Sequence, residues 1–180
     1  MNIKNSWRRE IPLLILDVII IALFALFVCG VRANLTPSLP RGIYQITLDV
    51  PEIGDMAYFC LDQDNPYSSL AQERSYLGPG SCPSGLKPLL KIVAGLPGDL
   101  VELKPNGIAL NGRLLAGTER PENDSAGRII PVSLLVPGYI PAGQALMLSP
   151  GHPGGFDGRH FGLVPIDSLT KVRPLWVEGE

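Results

Sequence analysis

Residues 11–30 read IPLLILDVIIIALFALFVCG, and Asp17 is the one charged position in that run. A helix needs roughly 20 apolar residues to cross the hydrocarbon core of a bilayer, so the pattern predicts a transmembrane anchor over 11–30 behind a short N-terminal segment, 1–10. Beyond position 30 the pattern changes. Apolar residues fall into short runs separated by turn formers, and the chain holds 18 prolines and 20 glycines in 180 residues, which favours short strands joined by tight turns. Strands are predicted at 42–48, 56–61, 89–94, 100–104, 108–110, 129–132, 144–148 and 169–177, with one weak helix at 68–76. Asn-Gly pairs at 106–107 and 111–112 are turn signals that bracket a small hairpin around 108–110. Residues 31–180 therefore read as one mainly-β domain, of a size that suits a single core.

Charge orients the anchor. Lys4, Arg8 and Arg9 stand before the apolar run against Glu10, while Arg32 is the only early basic residue after it. The excess of basic residues on the first side predicts a cytoplasmic N-terminus and export of everything from about Arg32 onward. A cleavable signal peptide shares the basic start and apolar middle, but the run is longer than such a segment and no clean small-x-small site follows it. Asp17 is read as lying near the inner surface, neutral or snorkelled, against the alternative of a functional intramembrane carboxylate. The net charge of -2 and the sequence pI of about 5.7 supply no basic field for a phosphate backbone, which argues against nucleic acid as a partner.

Of the three cysteines, Cys29 sits in the anchor as a small hydrophobe. Cys60 and Cys82 fall in the exported part, where thiols are oxidised. A Cys60–Cys82 disulfide that staples the Pro/Gly/Ser-rich stretch 62–88 is predicted, against two unrelated thiols.

Candidate chemistry starts at LLKIVAGLPGD, residues 89–99. On a strand over 89–94, Lys91 shares a face with Leu89 and Val93 while Leu90, Ile92 and Ala94 cover the other. Neither face looks solvated, and a strand apolar on both faces is usually buried. Burial disfavours the ammonium form, so Lys91 is a candidate general base; the plainer alternative is a rim lysine that snorkels to water or pairs with Asp99. A serine hydroxyl needs such a helper before it attacks a carbonyl. In NLTPSLPRGIY, residues 34–44, Ser38 stands between Pro37 and Pro40, which stiffen its backbone. Thr36, two positions upstream, has a hydroxyl that can join the Ser38 N–H against one developing oxyanion. Taken alone, TPSLP also fits a proline-rich juxtamembrane linker.

Taken together and in order, NLTPSLPRGIY, IGDMAYF, LLKIVAGLPGD and SPGHPGGFDGRHFGLVP resemble the motifs of the signal peptidase I (S26) family, and the form Asn-x-Thr-x-Ser-x-Pro-x-Gly-x-Tyr is similar to its conjugative transfer branch, the TraF type. The resemblance covers most of the chain from Asn34 to Pro165. It implies a signal peptidase-like (LexA-like) β-fold, with Ser38 as nucleophile, Lys91 as general base, and Thr36 with the Ser38 amide as oxyanion hole. Asp157 matches the acidic residue of the late motif, where it orients Lys91 or pairs with Arg159. No cofactor and no metal is implied. The expected setting is the bacterial inner membrane, crossed once, with residues 31–180 periplasmic. The expected partners are the lipid bilayer and a membrane-inserted preprotein or pilin precursor, cut after small residues in the manner of Ala-x-Ala. In this branch either water or an amine of the pilin finishes the reaction, the latter giving a cyclic subunit. Leu39 stands where general signal peptidases usually have methionine, and SPGHPGGFDGRHFG replaces their usual Gly-Asp-Asn run, which favours the specialised branch.

Other readings stay open at this level. His152 and His160 permit a Ser/His/Asp triad with Asp157 or Asp167 as orienter, against surface histidines in a Gly/Pro-rich loop. Neither His-x-x-x-His nor Cys-x-x-Cys spacing is present, and GLPGD lacks the Gly-Lys-Ser/Thr ending of a phosphate loop. A general or accessory signal peptidase, and a noncatalytic anchored scaffold of an export apparatus, remain the two alternatives.

Overall fold

The computed structural model describes residues 7–36, 38–152 and 154–179. Lys4 lies outside the described residues, and so does Pro37, on which the expected stiffness of the serine turn partly rested. The side chains of residues 7–10 are outside them as well, so Arg8, Arg9 and Glu10 are known here only from sequence.

Helix α1 (Trp7–Val28) is apolar from Ile11 onward and unburied along that whole stretch, long and apolar enough to cross a membrane. It runs almost directly into β1 (Val31–Asn34), a strand the sequence pattern did not predict. The strands that follow are β2 (Gly42–Ile46), β3 (Met56–Phe59), β4 (Leu89–Gly95), β5 (Leu100–Lys104), β6 (Gly107–Leu110), β7 (Arg113–Leu114), β8 (Gly138–Tyr139), β9 (Gln144–Leu148), β10 (Val164–Pro165) and β11 (Thr170–Val177). Two short helices, α2 (Pro66–Glu73) and α3 (Gly158–Phe161), interrupt them. The expectation of a mainly-β domain is met.

Seven strands form one antiparallel sheet in the order β1-β2-β11-β3-β4-β9-β10, and a smaller sheet follows the order β7-β6-β5-β8. Strand β4 lies inside the larger sheet between β3 and β9. Its Leu89 and Val93 enter a core with Phe59, Met147 and Phe161, while Leu90 and Ile92 face a second cluster with Leu39, Tyr44 and Val172. The alternation expected from period-2 geometry is therefore present, with apolar packing on both sides. A third cluster joins the sheets through Val101, Ile108, Ile140, Leu146 and Leu148. At Asn111-Gly112 both φ values are positive, 52° and 79°, as a two-residue hairpin turn of the primed type requires; it connects β6 to β7.

Two expectations need correction. The predicted strand at 129–132 is absent: Ile129 makes only an isolated bridge to Asn123. Pro131 has no N–H for a ladder, Ile129 and Val132 are 76% and 87% exposed, and Ile130 N–H is taken by the Glu122 carbonyl. The weak helix expected at 68–76 lies earlier, at Pro66–Glu73. Asn65 caps it, its side chain accepting from Tyr67 N with Pro66 in the first turn, and Ser75 beyond its end takes a positive φ of 57°.

Cys60 and Cys82 are disulfide-bonded across a sequence separation of 22, closing the segment that carries α2 onto the large sheet. For a loop of that length the chain-entropy account gives about 3 kcal/mol. The double variant Cys60→Ala/Cys82→Ala is expected to lower Tm by roughly 6–12 °C, measured by thermal unfolding of the detergent-solubilised chain. Wild type under reducing conditions should match it.

Candidate active site

The turn carrying Ser38 connects the two strands nearest the anchor, β1 and β2. Gly42 begins β2 opposite Asn34 and Val177. A Cβ there would stand 2.2 Å from the Trp176 carbonyl oxygen, so the Arg-Gly-Ile-Tyr run needs glycine for strand packing. Leu39 is buried against Tyr44, Leu90 and Val172. That contact pins the turn to the sheet beside β4, the strand of Lys91. Ser38 is half-buried, and its Oγ lies 3.5 Å from Thr36 Oγ1. Thr36 Oγ1 donates its proton to Asn34 Oδ1 at 2.7 Å, so in this arrangement the Ser38 hydroxyl is the donor toward Thr36.

Lys91 is 2% exposed. Its pKa is pushed down to about 8: burial of the ammonium is the main cause, the Asp157 carboxylate pulls partly the other way, and the Arg159 cation adds to the depression. Relative to the ordinary value of 10.5, the neutral amine at pH 7 is roughly 300-fold more abundant. Among the described residues no hydrogen bond or ion pair engages Lys91 Nζ. Pairing with Asp99 is ruled out, because the Asp99 carboxylate closes its own turn, accepting from Leu96 N at 2.8 Å and Asn111 Nδ2 at 2.7 Å.

Thr36, Ser38, Lys91, His152 and His160 line one cleft of about 530 Å³, together with Leu89, Leu90 and Phe156. Its rim is a wall that sequence reading missed. The Asp124 carboxylate gathers Tyr76 Oη at 2.7 Å, Arg128 Nε at 2.8 Å and Arg74 at 3.6 Å. The Tyr76 hydroxyl, and after it the Ala126 and Arg128 donors, hold that carboxyl well below the usual range. The only local signal for this wall is the spread of acidic and basic residues through an otherwise featureless loop.

Asp157 is fully buried and caps α3. Its Oδ1 accepts from Arg159 Nε at 2.9 Å and Arg159 N at 3.0 Å, and its Oδ2 from Arg159 Nη2 at 2.8 Å and Ser149 N at 2.9 Å. Arg159 in turn donates to the carbonyls of Glu119 and His152, both at 2.8 Å, tying two loops to the end of β9. Gly158 between them is required by packing, since a Cβ would approach Met147 O and Leu146 Cδ1 at 2.8 Å. Of the two roles expected for Asp157, the pairing with Arg159 is present in full. Toward Lys91 it acts through space.

His160 is 3% exposed, edge-on to Tyr67 and tilted against Phe156. Burial pushes its pKa down to about 4, so it is neutral at working pH. Its Nδ1 has no partner, the Asp157 oxygens are committed elsewhere, and Asp167 sits in the 3-10 turn Ile166–Ser168. The triad arrangement thus lacks its orienting carboxylate among the described residues.

A serine turn that follows the apolar helix and a buried lysine line one cleft, and comparison with known proteins gives the family. Residues 4–176 match the profile described as "Signal peptidase, peptidase S26". The chain belongs to that peptidase family. It is 33% identical over 150 residues to the conjugal transfer protein TraF of Agrobacterium tumefaciens (strain 15955), covering 82% of each chain. It is 31% identical over 150 residues to a plasmid transfer protein TraF of Escherichia coli, covering 83% of this chain and 84% of that one. Among solved structures, a signal peptidase I of Enterococcus faecalis V583 aligns over 71% of this chain and 99% of its own at 20% identity, with a TM-score of 0.41.

The substitution Asp157→Asn leaves Arg159 buried without its counter-charge, a change that typically costs about 3–5 kcal/mol. Thermal unfolding should show a fall in Tm of roughly 6–20 °C, whereas Asp167→Asn, at the surface, should leave Tm unchanged.

Proposed function

We propose that this chain is a membrane-anchored serine endopeptidase with a Ser38/Lys91 dyad, which cleaves a signal-peptide-bearing or pilin precursor for conjugative transfer. The observation that carries the reading is a lysine buried in the sheet, with its pKa pushed down to about 8, lining the same cleft as Ser38 of the β1–β2 turn. Support for the conjugative branch comes from the relatives, which are conjugal or plasmid transfer proteins. The N-terminus is cytoplasmic and the peptidase domain periplasmic in this reading, as the basic residues before α1 suggest. Ser38 stands eight positions beyond Gly30, and extended chain covers at most roughly 3.3–3.6 Å per residue. The hydroxyl therefore acts close to the bilayer surface, where the embedded segment of a precursor ends.

The chemistry is acyl transfer in two steps. Neutral Lys91 takes the Ser38 proton as Oγ bonds to the scissile carbonyl carbon, and the carbonyl oxygen becomes an oxyanion. The Ser38 N–H donates to it, joined by Thr36 Oγ1 once that hydroxyl turns from Asn34 Oδ1. The tetrahedral intermediate collapses, the C–N bond breaks, and Lys91 returns the proton to the leaving amine. Water, or an amine of the precursor itself, then attacks the acyl-enzyme with Lys91 again as base and releases Ser38. Hydrolysis gives a linear product and aminolysis a cyclic one.

Co-expression with candidate pilin precursors, read by intact mass, tests the reading. Wild type should convert the precursor, and Ser38→Ala and Lys91→Ala should each lower the rate at least about 10⁴-fold. Full processing by either variant refutes the dyad, and a product lighter by one water than the linear form identifies cyclisation.

The pH dependence has a definite sign. The base is the neutral amine, present above its pKa, so kcat/KM should climb about tenfold per pH unit below pH 8 and level off above it. A limb near pH 4, lost in His160→Gln and kept in Lys91→Ala, would move the role to histidine.

A further inference from the structure

The turn between β1 and β2 has few backbone donors to spend. Pro37 and Pro40 carry no N–H, yet the carbonyls of Thr36, Leu39 and Pro40 all need partners where they leave solvent. One side chain supplies them. Asn34 Nδ2 donates its two protons among three carbonyls, Thr36 O at 3.2 Å, Leu39 O at 3.2 Å and Pro40 O at 3.0 Å, one proton being shared. Its Oδ1 accepts from Thr36 N at 3.2 Å and from Thr36 Oγ1 at 2.7 Å. The amide's orientation is fixed by these partners, because the flipped form would set oxygen against three carbonyls and N–H₂ against an N–H. Asn34 is 5% exposed, and its backbone is held by pairing with Gly42. A second clamp closes the far side, Tyr44 Oη donating to Pro40 O at 2.6 Å.

On the Ser38/Lys91 reading above, we infer that Asn34 is a positioning residue of the peptidase reaction: its carboxamide holds the turn that presents Ser38 Oγ and Thr36 Oγ1 to the cleft. It touches neither substrate nor Lys91. Three physical points carry this. The bonds span both sides of Ser38, so the serine's backbone cannot shift without breaking them. They replace bonds that prolines cannot make, so no other backbone group takes over when they are lost. The bond from Thr36 Oγ1 to Asn34 Oδ1 keeps the threonine side chain beside Ser38 Oγ, and its proton turns from the amide to the oxyanion only in the reaction. Asn34 is also the last residue of the strand that leaves the anchor, so it ties the serine turn to the membrane-proximal end of the sheet.

The test uses the full chain in detergent micelles and an internally quenched peptide with alanine one and three residues before the cut. Asn34→Ser keeps a small polar group and removes the three carbonyl ties. We expect kcat per folded molecule to fall about 100-fold, the scale of a misplacement of about 1 Å, with KM within about twofold and the apparent pKa of the pH profile unchanged. Tyr44→Phe, which removes one clamp and little volume, should lower kcat about tenfold with Tm within about 3 °C. The inference is overturned if folded Asn34→Ser keeps wild-type kcat, if its loss appears in KM or as a shifted apparent pKa, or if the loss only tracks the unfolded fraction. Should Asn34→Ser fail to accumulate, Tyr44→Phe decides alone, and an unchanged kcat overturns the inference. Cleavage by Ser38→Ala would instead sink the dyad itself, so the two failures are distinct.

Discussion

Keeping one ammonium group out of water is the constraint on which the rest of this protein depends. Lys91 stands on an interior strand with an apolar core against each face, and the free energy of charging it there is what lowers its pKa. An apolar sheet alone would not be enough. A free carboxylate in the same interior would pair with the lysine and restore its charge. Asp157 is such a carboxylate, and Arg159 occupies both of its oxygens. The three groups form a graded set in which Asp157 attracts Lys91 through space while Arg159 repels it, and burial dominates both. The late Asp-Gly-Arg run therefore serves the loops and the lysine at once, through one ion pair.

The second feature is a hydroxyl that lines the same cleft as that lysine, on a chain that has just left the apolar helix. The short path from α1 into β1 makes the serine turn part of the sheet's edge, and Leu39 fixes it against the same cluster that packs Leu90. Side chains of Asn34 and Tyr44 do the hydrogen bonding that a turn with two prolines cannot do for itself. The cleft between this turn, β4 and the Asp124-bound wall is closed by ion pairs and aromatic packing contributed from residues 74–76, 124–128 and 152–160. Two cations of that wall, Arg74 and Arg128, share the one Asp124 carboxylate, and the charges that shift the amine are those of Asp157 and Arg159.

Local pattern was enough to mark the apolar helix, most strands of the large sheet, the Asn-Gly turn and the alternation of β4, because each depends on neighbouring residues alone. It overreached at 129–132, where an apolar run carries a proline and finds no strand to pair with, and it missed β1, β7, β8 and β10. Those strands are two to four residues long, too short to show a period, and pairing with a neighbouring strand makes them strands. His152 and His160 illustrate the same limit. As residue types they suit a triad, and only burial and the prior commitment of Asp157 show that His160 lacks an orienter.

The sequence by itself determined the apolar helix and the mainly-β domain through hydrophobic periodicity, and the family, with Ser38 and Lys91 as the residues to watch, through the resemblance of its ordered motifs, all of them properties of the chain written out in a line. Tertiary structure alone decided that Lys91 is desolvated, that Asp157 belongs to Arg159, that Asn34 serves the serine turn, and that Tyr76, Asp124 and Arg128 wall the cleft. Those are contacts between residues up to dozens of positions apart, and desolvation and ion pairing act over ångströms of space, which sequence spacing does not measure.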